Sequence, residues 1–159
     1  MQIFARHLGS WHGSNGFRLM PNDPVHSAPA GATVLRAAGG ALASITYNWS
    51  HPTDGVQGGL FVVGPGDDHG DGSVVAFWAD SWHQHPSPRT LLGSSEGNSV
   101  SVGYEYEAGW WWRIVVGLGD PDALTIRMEN VVPESAGNAD FAGGAYPAMV
   151  MSLTRAVVA

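Results

Sequence analysis

The densest run of chemistry-bearing side chains is Trp78-Ala79-Asp80-Ser81-Trp82-His83-Gln84-His85. Read as a strand, it puts Trp78, Asp80 and Trp82 on one face and Ser81, His83 and His85 on the other. An inward Asp80 is a carboxylate between aromatic rings. Burial raises its pKa unless a cation pairs with it, and Arg113 or Arg127 would be that cation if it faced inward. Such a group can act as general acid or base, or hold a polar group of a ligand. Inward His83 and His85 would offer two imidazoles at i, i+2 to a divalent metal, with His51 or His12 as a third ligand. The plainer alternative leaves both histidines at a strand end near Pro86, facing water, and no metal site is assigned. Ser81 beside His83 has the residue types of a hydrolase pair, but the G-x-S-x-G elbow is absent. Asp80 and His83 are therefore the candidate catalytic residues. Which face of their strand points inward stays open, because a one-residue slip exchanges the two.

Seven tryptophans in 159 residues is a large excess. Aromatic-lined cavities stack flat or apolar ligands, whereas small barrels pack their interiors solid with side chains, and both alternatives stay open. The candidate ligand-binding residues are Tyr47, Trp49, Trp78, Trp82, Tyr104 and Tyr106, joined by Met128 and Asn130 further along the chain. In Trp110-Trp111-Trp112 the outer two share one face and Trp111 takes the other. At least one indole therefore lies outside the sheet, free to cover a strand or meet a partner. Asp67-Asp68-His69-Gly70-Asp71-Gly72 lacks the spacing of an EF-hand and reads as a solvated hairpin tip.

Composition removes whole classes of function. Cysteine is absent, which excludes disulfides, thiol nucleophiles and Cys-ligated metals. All seven basic residues are arginine, so Schiff-base, PLP and P-loop chemistry, each needing a lysine, are excluded. No cofactor is expected. A net charge of −7 disfavours nucleic acid and anionic membrane surfaces as partners. No apolar run approaches the ~18 residues of a transmembrane helix, and MQIFARHLGSW lacks the apolar core of a signal peptide, so a cytoplasmic location is expected.

These side chains need elements to position them. The chain reads as one domain, 1–159, of about ten strands, beginning with a strand from about Trp11 to Leu19. Met20–Gly31, with three prolines, reads as a loop or lid. ATVLRA follows, and Gly39-Gly40 turns the chain. ALASITYNWS then alternates, with Ala43, Ile45, Tyr47 and Trp49 on one face. His51–Gly55 is a turn, followed by VQGGLFVV, SVVAFWADSWH, TLLGSSEG and SVSVGYEYE. Ala108-Gly109 turns into WWWRIVVGL, and Asp120-Pro121-Asp122 into ALTIRMENVV. A loop over about Glu134–Gly144 leads to the final YPAMVMSLTRAVV. No long helix is expected. Strands joined by tight turns predict a meander, and closing it into an antiparallel up-and-down β-barrel hides every edge.

Two short motifs add a resemblance. Gly9-Ser10-Trp11 at the start of the first strand is similar to the G-x-W signature of the calycins, the lipocalin and fatty-acid-binding group. Leu153-Thr154-Arg155 resembles their closing strand. The wider pattern, from LGSWHG through YNW and WADSW to the final TR, resembles uncharacterised bacterial lipocalin-like families such as DUF1579. The resemblance implies an all-β, lipocalin-like barrel in which Trp11 and Arg155 are structural, the arginine packing over the indole at the closed end. Leu8, Gly9, Trp11 and Gly13 also match the L-G-x-W-x-G of nitrobindin. That haem barrel takes its ligating histidine from the last strand, and Tyr146–Arg155 contains none.

The expected function is binding of a small apolar or aromatic molecule in the barrel, with Asp80 or His83 as polar anchor. Two alternatives accompany it. One is a cofactor-independent acid–base enzyme (cyclase, isomerase or lyase) using the same cavity. The other is a solid barrel that forms a homodimer through Trp111.

Overall fold

The structure is a computed structural model that describes residues 1–67, 72–83 and 87–156. The histidine, carboxylates and glycine at 68–71, Gln84, His85 and Pro86, and the last three residues lie outside the described residues. The fold is all-β. Its strands are β1 (Gly9–Phe17), β2 (His26–Ala37), β3 (Leu42–His51), β4 (Gly55–Pro65), β5 (Ser73–Asp80), β6 (Arg89–Glu96), β7 (Ser99–Glu107), β8 (Trp110–Gly117), β9 (Ala123–Val132) and β10 (Gly144–Arg155). Each pairs antiparallel with the next, and β10 returns to pair with β1, so the sheet is a closed ten-stranded up-and-down barrel. Among the described residues every strand has a neighbour on both sides, so none is an edge strand.

Period-2 alternation decides what lies inside. On β3, Ala43, Ile45, Tyr47 and Trp49 are buried while Thr46, Asn48 and Ser50 are exposed. On β9, Leu124, Ile126 and Met128 face the core, and on β10 Met149, Met151 and Leu153 do. Odd-numbered strands run from a closed end to a mouth. A short 3-10 turn, Gln2–Phe4, packs the buried Phe4 into the main core cluster.

At the closed end Trp11 stands opposite Arg155 across the β1–β10 seam. The guanidinium lies 4.6 Å from the centre of the indole ring. It also donates to the carbonyls of Leu8 (2.9 Å), Arg6 (2.5 Å) and Pro121 (2.7 Å). The indole N–H is satisfied by the His7 carbonyl at 2.9 Å.

Two expected boundaries move. β1 ends at Phe17 rather than Leu19, and β2 starts at His26, so the expected loop Met20–Gly31 is really only residues 18–25. The reason is pairing: β1 takes β2 along its whole length, from Gly9 opposite Val34 to Phe17 opposite His26. Pro29 fits because the β2–β3 ladder begins only at Ala30, so its missing N–H interrupts nothing on that side. The strand expected over SVVAFWADSWH also stops early, at Asp80.

Candidate functional site

The site lies at the mouth, where β3 and β5 end. One row crosses three strands: Tyr47 stands opposite Gly59, and Gly59 opposite Asp80. Because Gly59 has no side chain, the Tyr47 phenol lies across β4 and donates to Asp80 Oδ2 at 2.5 Å. A Cβ on Gly59 would sit 2.2 Å from Tyr47 Cζ and from its hydroxyl oxygen. The Trp78 indole N–H donates to the same hydroxyl at 2.8 Å. Gly59→Ala should therefore swing the ring off Asp80 and cost about 1–3 kcal/mol, the usual penalty for orphaning a buried polar group. Urea unfolding measures it; wild-type stability in the variant would show that the phenol is not held by this notch.

The other carboxylate oxygen ends the strand. Asp80 Oδ1 accepts the backbone N–H groups of Trp82 (2.7 Å) and His83 (2.6 Å). This side-chain turn competes with the β-ladder and wins. Trp82 and His83 therefore do not alternate along a strand as expected. Both sit on the turn, folded back against the mouth. Ser81 is taken up by β4: its hydroxyl donates to Gln57 Oε1 (2.7 Å) and accepts the Gly58 N–H (3.0 Å). It is committed there rather than to His83.

His83 Nδ1 lies 3.1 Å from Asp80 Oδ1. Burial alone pushes the Asp80 carboxyl up. The hydrogen bond and charge of His83, with the Tyr47 hydroxyl and the His83 amide, outweigh it and hold the carboxyl below its ordinary 3.8. Burial, then the Asp80 charge, push the Tyr47 hydroxyl well above its ordinary 10.0, so it stays a donor at neutral pH. An ionised carboxylate only accepts, so His83 Nδ1 carries a hydrogen toward Asp80, and Nε2 is the ring nitrogen turned away from the carboxylate. That Nε2 is buried and has no hydrogen-bond partner among the described residues.

Aromatic rings surround the imidazole. Trp82 lies 4.6 Å away at 90°, Trp112 at 5.1 Å and Trp78 at 6.4 Å. Trp78 and Trp112 stack at 5.9 Å, and Trp49 meets Trp82 edge-on at 5.3 Å. The indole N–H groups of Trp49 and Trp112 are likewise buried and unpartnered among the described residues. Beyond Trp82, a cleft of about 330 Å³ opens between Phe17, His26, His51 and the 18–24 segment.

The structure brings together Tyr47, Trp49, Trp78, Asp80, Trp82 and His83 at this place. Met128 is fully buried in the core. Tyr104 is half-buried near the mouth, with Arg89 over its ring. Tyr106, expected in the lining, is 43% exposed and belongs to the rim instead. It donates to Asn130 Oδ1 (2.7 Å), whose amide donates to Tyr146, which donates to the Leu19 carbonyl. A register shift between Glu105 and Glu107 turns this strand end outward. Arg113 and Arg127 do not serve Asp80: both pair with Glu129 on the outer face. Register decides this, since β8 sets Arg113 directly opposite Glu129.

The histidines named as a third metal ligand lie at opposite ends of the barrel. His12 is exposed beside Trp11 toward the closed end, while His51 is at the mouth, bonded to Asp54. His85 lies outside the described residues. Among the described residues no group of three or more histidines and carboxylates could hold a metal. Sequence reasoning missed Trp112 as a site residue, although its alternation with Trp111 was readable. It also missed Asn15, Gln57 and Phe17.

The chain is a closed ten-stranded antiparallel meander, lipocalin-like in fold, with polar groups gathered at one end. Among solved structures it is similar to the S-type phycobiliprotein lyase CPES from Guillardia theta, at 11% identity and a TM-score of 0.63 over 99% of this chain and 93% of that one. No protein-family model matches the chain, and no curated protein does. At this identity the likeness is one of fold. No helix among the described residues is long and apolar enough to cross a membrane.

Proposed function

We propose that the barrel binds a small, flat, mostly apolar molecule at its mouth, against Trp49, Trp78, Trp82 and Trp112, with His83 Nε2 as the polar anchor. The lipocalin-like bacterial kinship suggested by LGSWHG and the terminal LTR belongs to the same reading. One observation carries it. An imidazole is oriented by a buried carboxylate through Nδ1, while its Nε2 stands among indoles, buried and without a partner among the described residues. An unmade hydrogen bond at a buried group costs free energy and marks a place that a polar group of a ligand would complete. Apolar surface of the ligand would add about 25 cal/mol per Å² buried.

The test is titration with N-phenyl-1-naphthylamine, a flat apolar fluorophore with one N–H donor. The expected result is enhanced probe emission, quenched tryptophan emission and a stoichiometric adduct by native mass spectrometry. His83→Ala should weaken binding about tenfold, the worth of one hydrogen bond in a dry site. No change in either emission at any probe concentration would sink the reading.

The same Asp80–His83 pair favours a second reading, a cofactor-independent acid–base enzyme that is a cyclase, isomerase or lyase. Carboxylate, oriented imidazole and free Nε2 are the parts of a general base. The fold of a lyase in the structural comparison makes that class the first to try. Its signature is a bell-shaped pH–rate profile lost in Asp80→Asn and His83→Gln. A homodimer is the remaining alternative, supported by Trp111 at 44% exposure beside Leu92 at 66%. Sedimentation with and without Trp111→Ser tests it; a monomer in both would rule it out.

A further inference from the structure

Asn15 lies on β1 with its side chain inside the barrel, at 0% exposure, and among the described residues neither its amide oxygen nor its amide nitrogen has a hydrogen-bond partner. It stands one inward position below Phe17, which itself packs on Trp49 at 4.6 Å. Its neighbours across the sheet are Met151 on β10 and Ala28 on β2. Met149 stands opposite Phe17, and Met128 opposite Met149. All three methionines are fully buried. Asn15 is thus flanked across the sheet by one small side chain and one methionine, with two more methionines in the row of Phe17 above it, all three unbranched and easily rearranged.

A buried amide with both ends unmade is costly, and leucine has nearly its shape without that cost. An apolar strand position would therefore be more stable without it. Methionine is the side chain that yields most readily to an incoming group, so the costly amide sits where the core is softest. A primary amide presents an acceptor and a donor side by side. The chemistry that completes both at once is an adjacent N–H and C=O, as in a lactam, imide or secondary carboxamide edge. An aliphatic tail or a bare aromatic ring would leave both atoms unsatisfied.

We infer that Asn15 is the deep specificity residue of the mouth site, selecting molecules whose flat apolar body ends in a lactam-like N–H/C=O edge. This rests on the barrel being a ligand-binding one. The ligand body lies against the tryptophans, and its polar edge passes Phe17 and displaces the methionine side chains to reach the amide.

The experiment compares wild type with Asn15→Leu, and with the smaller Asn15→Val should leucine prevent folding. It uses thermal unfolding, saturation-transfer NMR with ε-caprolactam and with N-methylcaprolactam, and the N-phenyl-1-naphthylamine titration. The expected result has three parts. Asn15→Leu raises Tm by about 2–5 °C. It loses ε-caprolactam binding at least about tenfold. It keeps N-phenyl-1-naphthylamine binding. In wild type N-methylcaprolactam, which lacks the donor, binds more weakly than ε-caprolactam. A fall in Tm for both variants would make Asn15 a structural residue and overturn the inference. Equal binding of the two lactams, or none of either while the fluorophore still binds, overturns it too and leaves the mouth site standing. Failure of all three probes overturns both.

Discussion

Asp80→Ala is expected to be the most damaging single substitution in the mouth, lowering stability by about 3–5 kcal/mol, the usual cost of removing one side of a buried ionic network. The carboxylate accepts from the Tyr47 hydroxyl, the Trp82 and His83 amides and His83 Nδ1, and its side chain is 1% exposed. Alanine leaves all of these donors unsatisfied. For a chain of this length the loss amounts to a Tm about 10 °C lower, read by calorimetry. A variant within about 1 kcal/mol of wild type would mean that the network is not closed in solution.

The same residue fixes the direction of the acid response. Its folded pKa is depressed below 3.8, so its contribution is fully present above that value. It is lost as pH falls through the lower, folded one. The gap in stability between wild type and Asp80→Asn should accordingly shrink as pH falls below about 4. A gap that grew as pH fell below about 4 would reverse the sign and contradict the geometry. Because Asn cannot carry the charge yet keeps an acceptor for the turn amides, this comparison isolates ionisation from the loss of the turn.

The second large effect is expected at the closed end. Trp11→Ala should cost about 3–5 kcal/mol, as for other buried tryptophans, because the ring is 3% exposed and holds the seam between first and last strands. Arg155→Ala should cost about 2 kcal/mol through its lost carbonyl bonds. The double variant should be less damaging than the sum by about 0.5–2 kcal/mol, the worth of the cation–π contact. Urea unfolding of the four proteins measures the coupling. Strict additivity would show that the 4.6 Å approach carries no energy of its own.

Much of the barrel was legible in particular residues. Ala43, Ile45, Tyr47 and Trp49 alternate with polar neighbours, and that period places them inside without any further information. Gly39 adopts a positive φ of 66° in the β2–β3 turn, as the paired glycines suggested. β1 was harder. GSWHGSNGF has three glycines and three small polar residues, so its inward row of Trp11, Asn15 and Phe17 is hidden by weak contrast. Asn15 consequently went unnoticed as a site residue. The Asp80-Ser81 pair did carry a turn signal, but it was masked by the aromatic alternation of Trp78 and Trp82.

The residue types and the ten strands are properties of the sequence alone, because period-2 patterning and turn chemistry act over a few neighbours. The partners of each charged group are not. Asp80 received Tyr47 from two strands away because Gly59 leaves the row open, and lost Arg113 and Arg127 because register set them beside Glu129 on the opposite face. Register and closure join residues far apart in the chain, and only the folded sheet decides which side chains share a row.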